Sequence, residues 1–135
     1  MKIVTYTNKE GTDLGLLLND KIYSLKAIAS TMSDFLQMGE EAMQKAKELE
    51  KSIKNGSSNL KGISLTENKL LAPVPNPPSC RDAYAFRQHV ATARRNRGVD
   101  MIPEFDQFPI FYFTNHNAIL GPTDDIICMP DHMQK

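Results

Sequence analysis

The chain has 135 residues, and Lys+Arg balances Asp+Glu at 16 each, so no global field draws in nucleic acid or a membrane surface. That length suits one domain, or a small domain with part of another. Two cysteines, Cys80 and Cys128, exclude a disulfide scaffold. With no secretory leader and no apolar run of membrane-spanning length, free thiols and a cytoplasmic setting are expected.

Residues 2–7 (KIVTYT) alternate as a strand and "NKEGTD" follows as a turn. "LGLLL", Asn19-Asp20 and "KIYSL" predict a β-hairpin, because Asn and Asp tolerate the positive φ of a tight turn. Thr31 and Asp34 have capping-box spacing at the start of a short helix through "DFLQM", which Gly39 interrupts. Residues 40–54 predict a helix whose apolar stripe, Ala42, Met43, Ala46, Leu49 and Ile53, packs on the core. Glu41–Lys45 and Glu50–Lys54 are favourable i,i+4 pairs on its wet face. "NGSSN" ends that helix and "ISL" is a short strand. Pro73, Pro75, Pro77 and Pro78 then make a stiff, extended boundary segment.

The next stretch, "SCRDAYAFRQHVATARRNRG", holds all five arginines of the chain. It predicts a helix from Ser79 to Arg97. After a loop, "FPIFYFTN" predicts an aromatic strand from Phe108 to Phe113. "NAILGPTDDIICMP" predicts a strand, a turn at Gly121-Pro122, and a strand from Asp125 to Met129. No internal repeat is present.

On a helix, Asp82 and His89 lie two turns apart on one face, where an acid and an imidazole suit a metal ligand and a general base. Ser79 to Asp82 equally fits a capping box, in which Asp82 only satisfies helix N–H groups. Arg94, Arg95 and Arg97 suit the helix dipole with no further role, and they also suit carboxylate or phosphate recognition. A nucleic-acid surface needs more cations, yet the next basic residue is Lys135. His116 sits in a polar loop or at a strand end. Cys128 and His132 have no second pair to complete a zinc site. There is no phosphate-loop pattern at Gly121 and no Gly-x-Ser-x-Gly elbow.

Four features together carry a resemblance: "LLAPVPNPPSCRD", the run Asp82-Ala-Tyr84-Ala-Phe-Arg87-Gln88-His89, "FPIFYFTNHNAILGP" and "DDIICMP". They resemble the start of the catalytic domain of the fumarylacetoacetate hydrolase family, over residues 70–135. Residues 1–69 resemble, through more generic motifs, the small domain that precedes it in longer members. The fold implied is α+β: an N-terminal β-hairpin and helix domain, 1–69, then the first helix and strands of the mixed-β catalytic fold, 70–135, incomplete.

The resemblance implies a metal-dependent hydrolase that cleaves a C–C bond in a 1,3-dicarbonyl acid of the fumarylacetoacetate or acylpyruvate type. Such enzymes serve aromatic catabolism and use Mg²⁺, Mn²⁺ or Ca²⁺ as a Lewis acid on the dicarbonyl. Asp82 matches the first metal carboxylate, His89 the base that activates water, and Tyr84 and Tyr112 substrate-contacting tyrosines. Arg97, with Arg95 as the other candidate, matches an arginine that holds a substrate carboxylate. A homodimer is implied for the complete protein, with neither nucleic acid nor membrane as partner. The family's Glu-x-Glu pair and later Asp should follow downstream, and no Glu-x-Glu occurs after Glu104. The chain is therefore expected to be the N-terminal portion of such an enzyme, inactive and metal-free by itself. The alternative is a non-catalytic interaction protein with half of the fold, whose apolar strands pair with a partner or a second copy.

Overall fold

The computed structural model describes residues 1–84 and 86–124. These form a mixed α+β structure. The described residues divide into two compact units, 1–76 with 117–124, and Pro77–His116. The change of unit falls inside the proline-rich stretch. No helix is long and apolar enough to cross a membrane among the described residues.

The first unit is built on a five-stranded antiparallel sheet. Strand β1 (Lys2–Asn8) pairs with β2 (Gly11–Leu18), and β2 with β3 (Lys21–Ser24). The short strands β4 (Ile63–Ser64) and β5 (Lys69–Leu70) close the order β4-β3-β2-β1-β5. The expected hairpin is present. Asn19 and Asp20 have φ of 51° and 59°, and Leu18 pairs with Lys21 across them. Helix α1 (Met32–Met38) and helix α2 (Glu40–Lys54) follow, separated only by Gly39 at φ 59°. That left-handed conformation is cheap for glycine and turns the chain sharply between them.

Alternation along β2 sets the core. Leu14 and Leu16 are fully buried on one face, with Leu25, Phe35, Ala42 and Ala46. Met43, Leu49 and Ile53 pack against this cluster, which completes the stripe expected on α2. Gly15 points the other way, between Tyr6 and Ile22. A Cβ there would lie 2.3 Å from Ile22 Cγ2 and 3.0 Å from the Tyr6 ring, so only glycine fits. The Thr31 hydroxyl accepts from the Asp34 amide at 3.1 Å, and the Asp34 carboxylate accepts from the Thr31 amide at 3.1 Å. The expected capping box is thus complete. Thr31→Ala should cost about 1 kcal/mol, measured as a shift of the urea midpoint at unchanged slope.

The proline-rich stretch docks on β1 before it leaves this unit. Buried Thr5 donates its hydroxyl to the Pro73 carbonyl at 2.8 Å, and the Leu71 amide bonds the Thr5 carbonyl at 2.9 Å. Residues 117–124 return to the same unit. The Asp124 carboxylate accepts from the Gly121 amide at 2.6 Å and pairs with Lys69. Those two contacts hold its carboxyl below the usual carboxylate range, the Lys69 contact more strongly. The turn expected at Gly121-Pro122 is closed by the Asp124 amide on the Gly121 carbonyl, 3.3 Å. No strand forms over 117–120. The strand expected at Asp125–Met129, and with it Cys128 and His132, lies outside the described residues.

The second unit corrects the helix expected over 79–97. Residues Cys80–Ala83 form strand β6, and helix α3 covers only Arg87–Asn96. Proline restricts the residue before it to extended conformations, so Asn76 and Pro77, which precede Pro77 and Pro78, start the stretch extended. Cys80–Ala83 then gain a partner in the aromatic strand β7 (Phe111–Thr114). This long-range pairing outweighs the local helical pattern. β7 begins at Phe111, later than the expected Phe108. Pro109 has no N–H to give a ladder, and the Phe108 amide is spent on the Glu104 carbonyl, 3.3 Å away.

Candidate functional site

The β6–β7 ribbon sorts its side chains by the two-residue period of a strand. Asp82 stands directly opposite Tyr112, and Tyr84, two residues on, falls on the same face. The Tyr84 and Tyr112 rings meet edge-on with centroids 6.3 Å apart. The Tyr84 amide bonds the Ile110 carbonyl at 3.0 Å, which continues the ladder and fixes Tyr84 in register. Three of the five expected site residues therefore share one surface. They do so as strand neighbours, not as residues on a helix.

The opposite face carries Arg81, Ala83, Phe111 and Phe113. Phe111 and Phe113 pack edge-on at 5.3 Å, and the Arg81 guanidinium sits over both rings at 5.5 and 5.0 Å. That stacking is a cation–π arrangement, further held by a 3.2 Å bond from Arg81 to the Ser79 hydroxyl. Ser79 therefore caps no helix, and Asp82 serves no capping box.

His89 stands in the first turn of α3, exposed, at a shallow surface depression of about 530 Å³ lined also by Phe86, Arg87, Gln88 and Thr92. Asp82 and His89 lie on separate elements, so the common helix face expected for them does not exist. No hydrogen bond joins them. Val90, 4% exposed, anchors α3.

Arg97 caps the far end of α3, its amide on the Arg94 carbonyl at 3.0 Å. It is exposed and its guanidinium makes no hydrogen bond or ion pair among the described residues. Arg94 is spent on the Asp100 carbonyl, and Arg95 reaches Thr92 Oγ1 at 3.4 Å. Of the C-terminal arginines, Arg97 is the one whose guanidinium has no such contact among the described residues. It lies about 12 Å from His89 along the helix axis, eight residues at the rise of an α-helix.

One element of this unit had no signal in the sequence. Arg87 grips Asp106 bidentately, Nε to Oδ1 at 2.9 Å and Nη2 to Oδ2 at 3.1 Å. The two are 19 residues apart, a separation no helical or strand period marks. The grip ties the start of α3 to the 3-10 turn Pro103–Asp106 that leads into β7. The guanidinium holds the Asp106 carboxyl below the usual carboxylate range and pushes Arg87 further up. A depressed carboxylate stabilises the fold above its unfolded pKa, and that contribution disappears as the pH falls through its folded value. Acidification through that window should lower the protection of the Phe105 and Gln107 amides, measured relative to the intrinsic exchange rate at each pH. Arg87→Ala should show the lowered protection already at neutral pH.

The described residues do not make a divalent-metal site. Among them no three His, Cys, Asp or Glu side chains converge. Asp82 offers one exposed carboxylate, where a hard cation takes about six oxygens. Cys80 is a free thiol, half-buried. In comparison with known proteins, no family model matches the chain, and no curated protein matches it.

Proposed function

We propose that residues 77–116 form one wall of the active site of a hydrolase that cleaves a C–C bond in a 1,3-dicarbonyl acid of the fumarylacetoacetate or acylpyruvate type. The observation that carries this reading is the single ribbon face bearing Asp82, Tyr84 and Tyr112. Phenol hydroxyls donate to oxygens, and two of them side by side suit the two oxygens of a dicarbonyl. His89 is the base: an exposed imidazole in an open depression takes a proton from the attacking water. Water adds to one carbonyl carbon, the C–C bond opens towards the second carbonyl, and the enolate released takes up a proton. Arg97, exposed at the end of α3, takes the substrate carboxylate. Asp82 presents its carboxylate beside the tyrosines, and the facing acids would come from residues outside this wall. By itself the 135-residue chain is proposed to be inactive.

The test is a binding map. The product of the full reading frame is titrated with an acylpyruvate while the side-chain resonances of Tyr84, His89, Tyr112 and Arg97 are followed. Saturable shifts at these residues are expected. Shifts confined to the first unit, or none at saturation, would sink the assignment.

A further inference from the structure

We propose that the first unit carries a binding site for a small organic amine, whose ammonium group is taken by Asp13 in a cleft on the sheet. The strand register builds the site. Tyr6 stands directly opposite Asp13, and Ser24 opposite Gly15, so Tyr6, Asp13 and Ser24 share one face. Gly15 lies among them on that face, and the Tyr6 ring packs against its bare Cα. Tyr6 is 2% exposed, and its hydroxyl donates to Asp13 Oδ2 at 3.4 Å. Ser24 Oγ donates to the same oxygen at 3.1 Å, and the Leu14 amide donates to Oδ1 at 2.8 Å. Three neutral donors thus orient this carboxylate, and it makes no ion pair among the described residues. Burial, and then the Asp13 charge, push the Tyr6 phenol above its ordinary value, so it stays neutral. Both hydroxyls give their protons to Asp13. Ser24 Oγ also accepts from the Lys26 amide at 3.2 Å, and each hydroxyl oxygen still has a lone pair to offer. An ammonium group brings three donors and one positive charge to this set of oxygens.

Tyr6, Asp13 and Ser24 line an open cleft of about 860 Å³, whose lining all comes from residues 6–69. That size suits a small-molecule site with a few convergent polar groups. The charges around it favour a cation. Lys69 is engaged by Asp124. Asp13, Glu10 and Glu67 then stand against Lys9 and Lys26, which leaves the negative sign in excess. Ile63, opposite Ile22 in the ladder and 37% exposed, gives the carbon chain of the amine an apolar wall. The site takes the opposite charge to the carboxylate substrate proposed for the second unit, so neither reading depends on the other.

Three four-carbon probes of similar shape and different charge test the site in the 135-residue chain: butylammonium, 1-butanol and butyrate. Each is titrated at neutral pH while the amide resonances of Tyr6, Asp13, Ser24 and Ile63 are followed. Butylammonium is expected to shift them saturably, with Kd on the order of 1 mM for so small a ligand. Butanol, without the charge, should bind about tenfold more weakly, and butyrate should not bind there. This comparison needs no variant. Asp13→Asn keeps an acceptor for the neighbouring donors but removes the charge, and should weaken butylammonium by about tenfold. Ile63→Ala, on the exposed wall, should weaken it about threefold. Equal affinity for butanol and butylammonium, saturable binding of butyrate at these residues, no saturable shift with butylammonium, or unchanged affinity in Asp13→Asn or Ile63→Ala would each overturn the proposal.

Discussion

Replacing His89 by alanine in the product of the full reading frame is expected to lower kcat by about 10²–10⁴-fold, the usual contribution of a positioned general base. His89 is exposed on the first turn of α3, and the buried anchor of that helix is Val90. The loss should therefore come without unfolding. KM for an acylpyruvate should change little, because binding is assigned to Tyr84, Tyr112 and Arg97. Undiminished turnover in His89→Ala would remove the base from the proposed mechanism and leave only a binding surface.

The second large effect is on stability. Leu14→Ala should cost about 2–5 kcal/mol, the range for emptying a fully buried leucine site. Leu14 is 0% exposed and meets Leu16, Leu25 and Phe35 in a core that few other large side chains supply. Ordinary domains have about 5–15 kcal/mol in all, so the variant should be largely destabilised. Leu36, on the same helix as Phe35 but 59% exposed, is the control, and Leu36→Ala should stay within about 0.5 kcal/mol. Urea midpoints compare the two. A Leu14→Ala shift no larger than that of Leu36→Ala would contradict the core described here.

Local chemistry made the first unit legible. Asn19-Asp20 names a tight hairpin because few residues accept positive φ twice in succession, and both do so. Thr31 and Asp34 name a helix start, and the α2 stripe names its buried face, through contacts within a few residues. The stretch from Ser79 to Arg97 contains two periods at once. The seven-residue step from Asp82 to His89 fits a helix, and the two-residue step from Asp82 to Tyr84 fits a strand. Only pairing with Phe111–Thr114, some thirty residues on, decides for the strand over Cys80–Ala83. The Arg87–Asp106 grip was illegible for the same reason: it depends on a turn that brings distant residues together. The arrangement of the candidate residues was thus not legible in the sequence. Asp82, Tyr84 and Tyr112 come together on a ribbon, and His89 and Arg97 stand at the two ends of a shorter helix.

The most direct measurement is turnover of acylpyruvates and fumarylacetoacetate, with Mg²⁺ or Mn²⁺, by the product of the full reading frame and by the 135-residue chain alone. Hydrolysis by the former, abolished in Asp82→Ala as well as in His89→Ala, together with none by the latter, is the expected result. No hydrolysis of any such substrate by the full product, or full activity in Asp82→Ala, would contradict the reading of this ribbon face as one wall of a C–C hydrolase site.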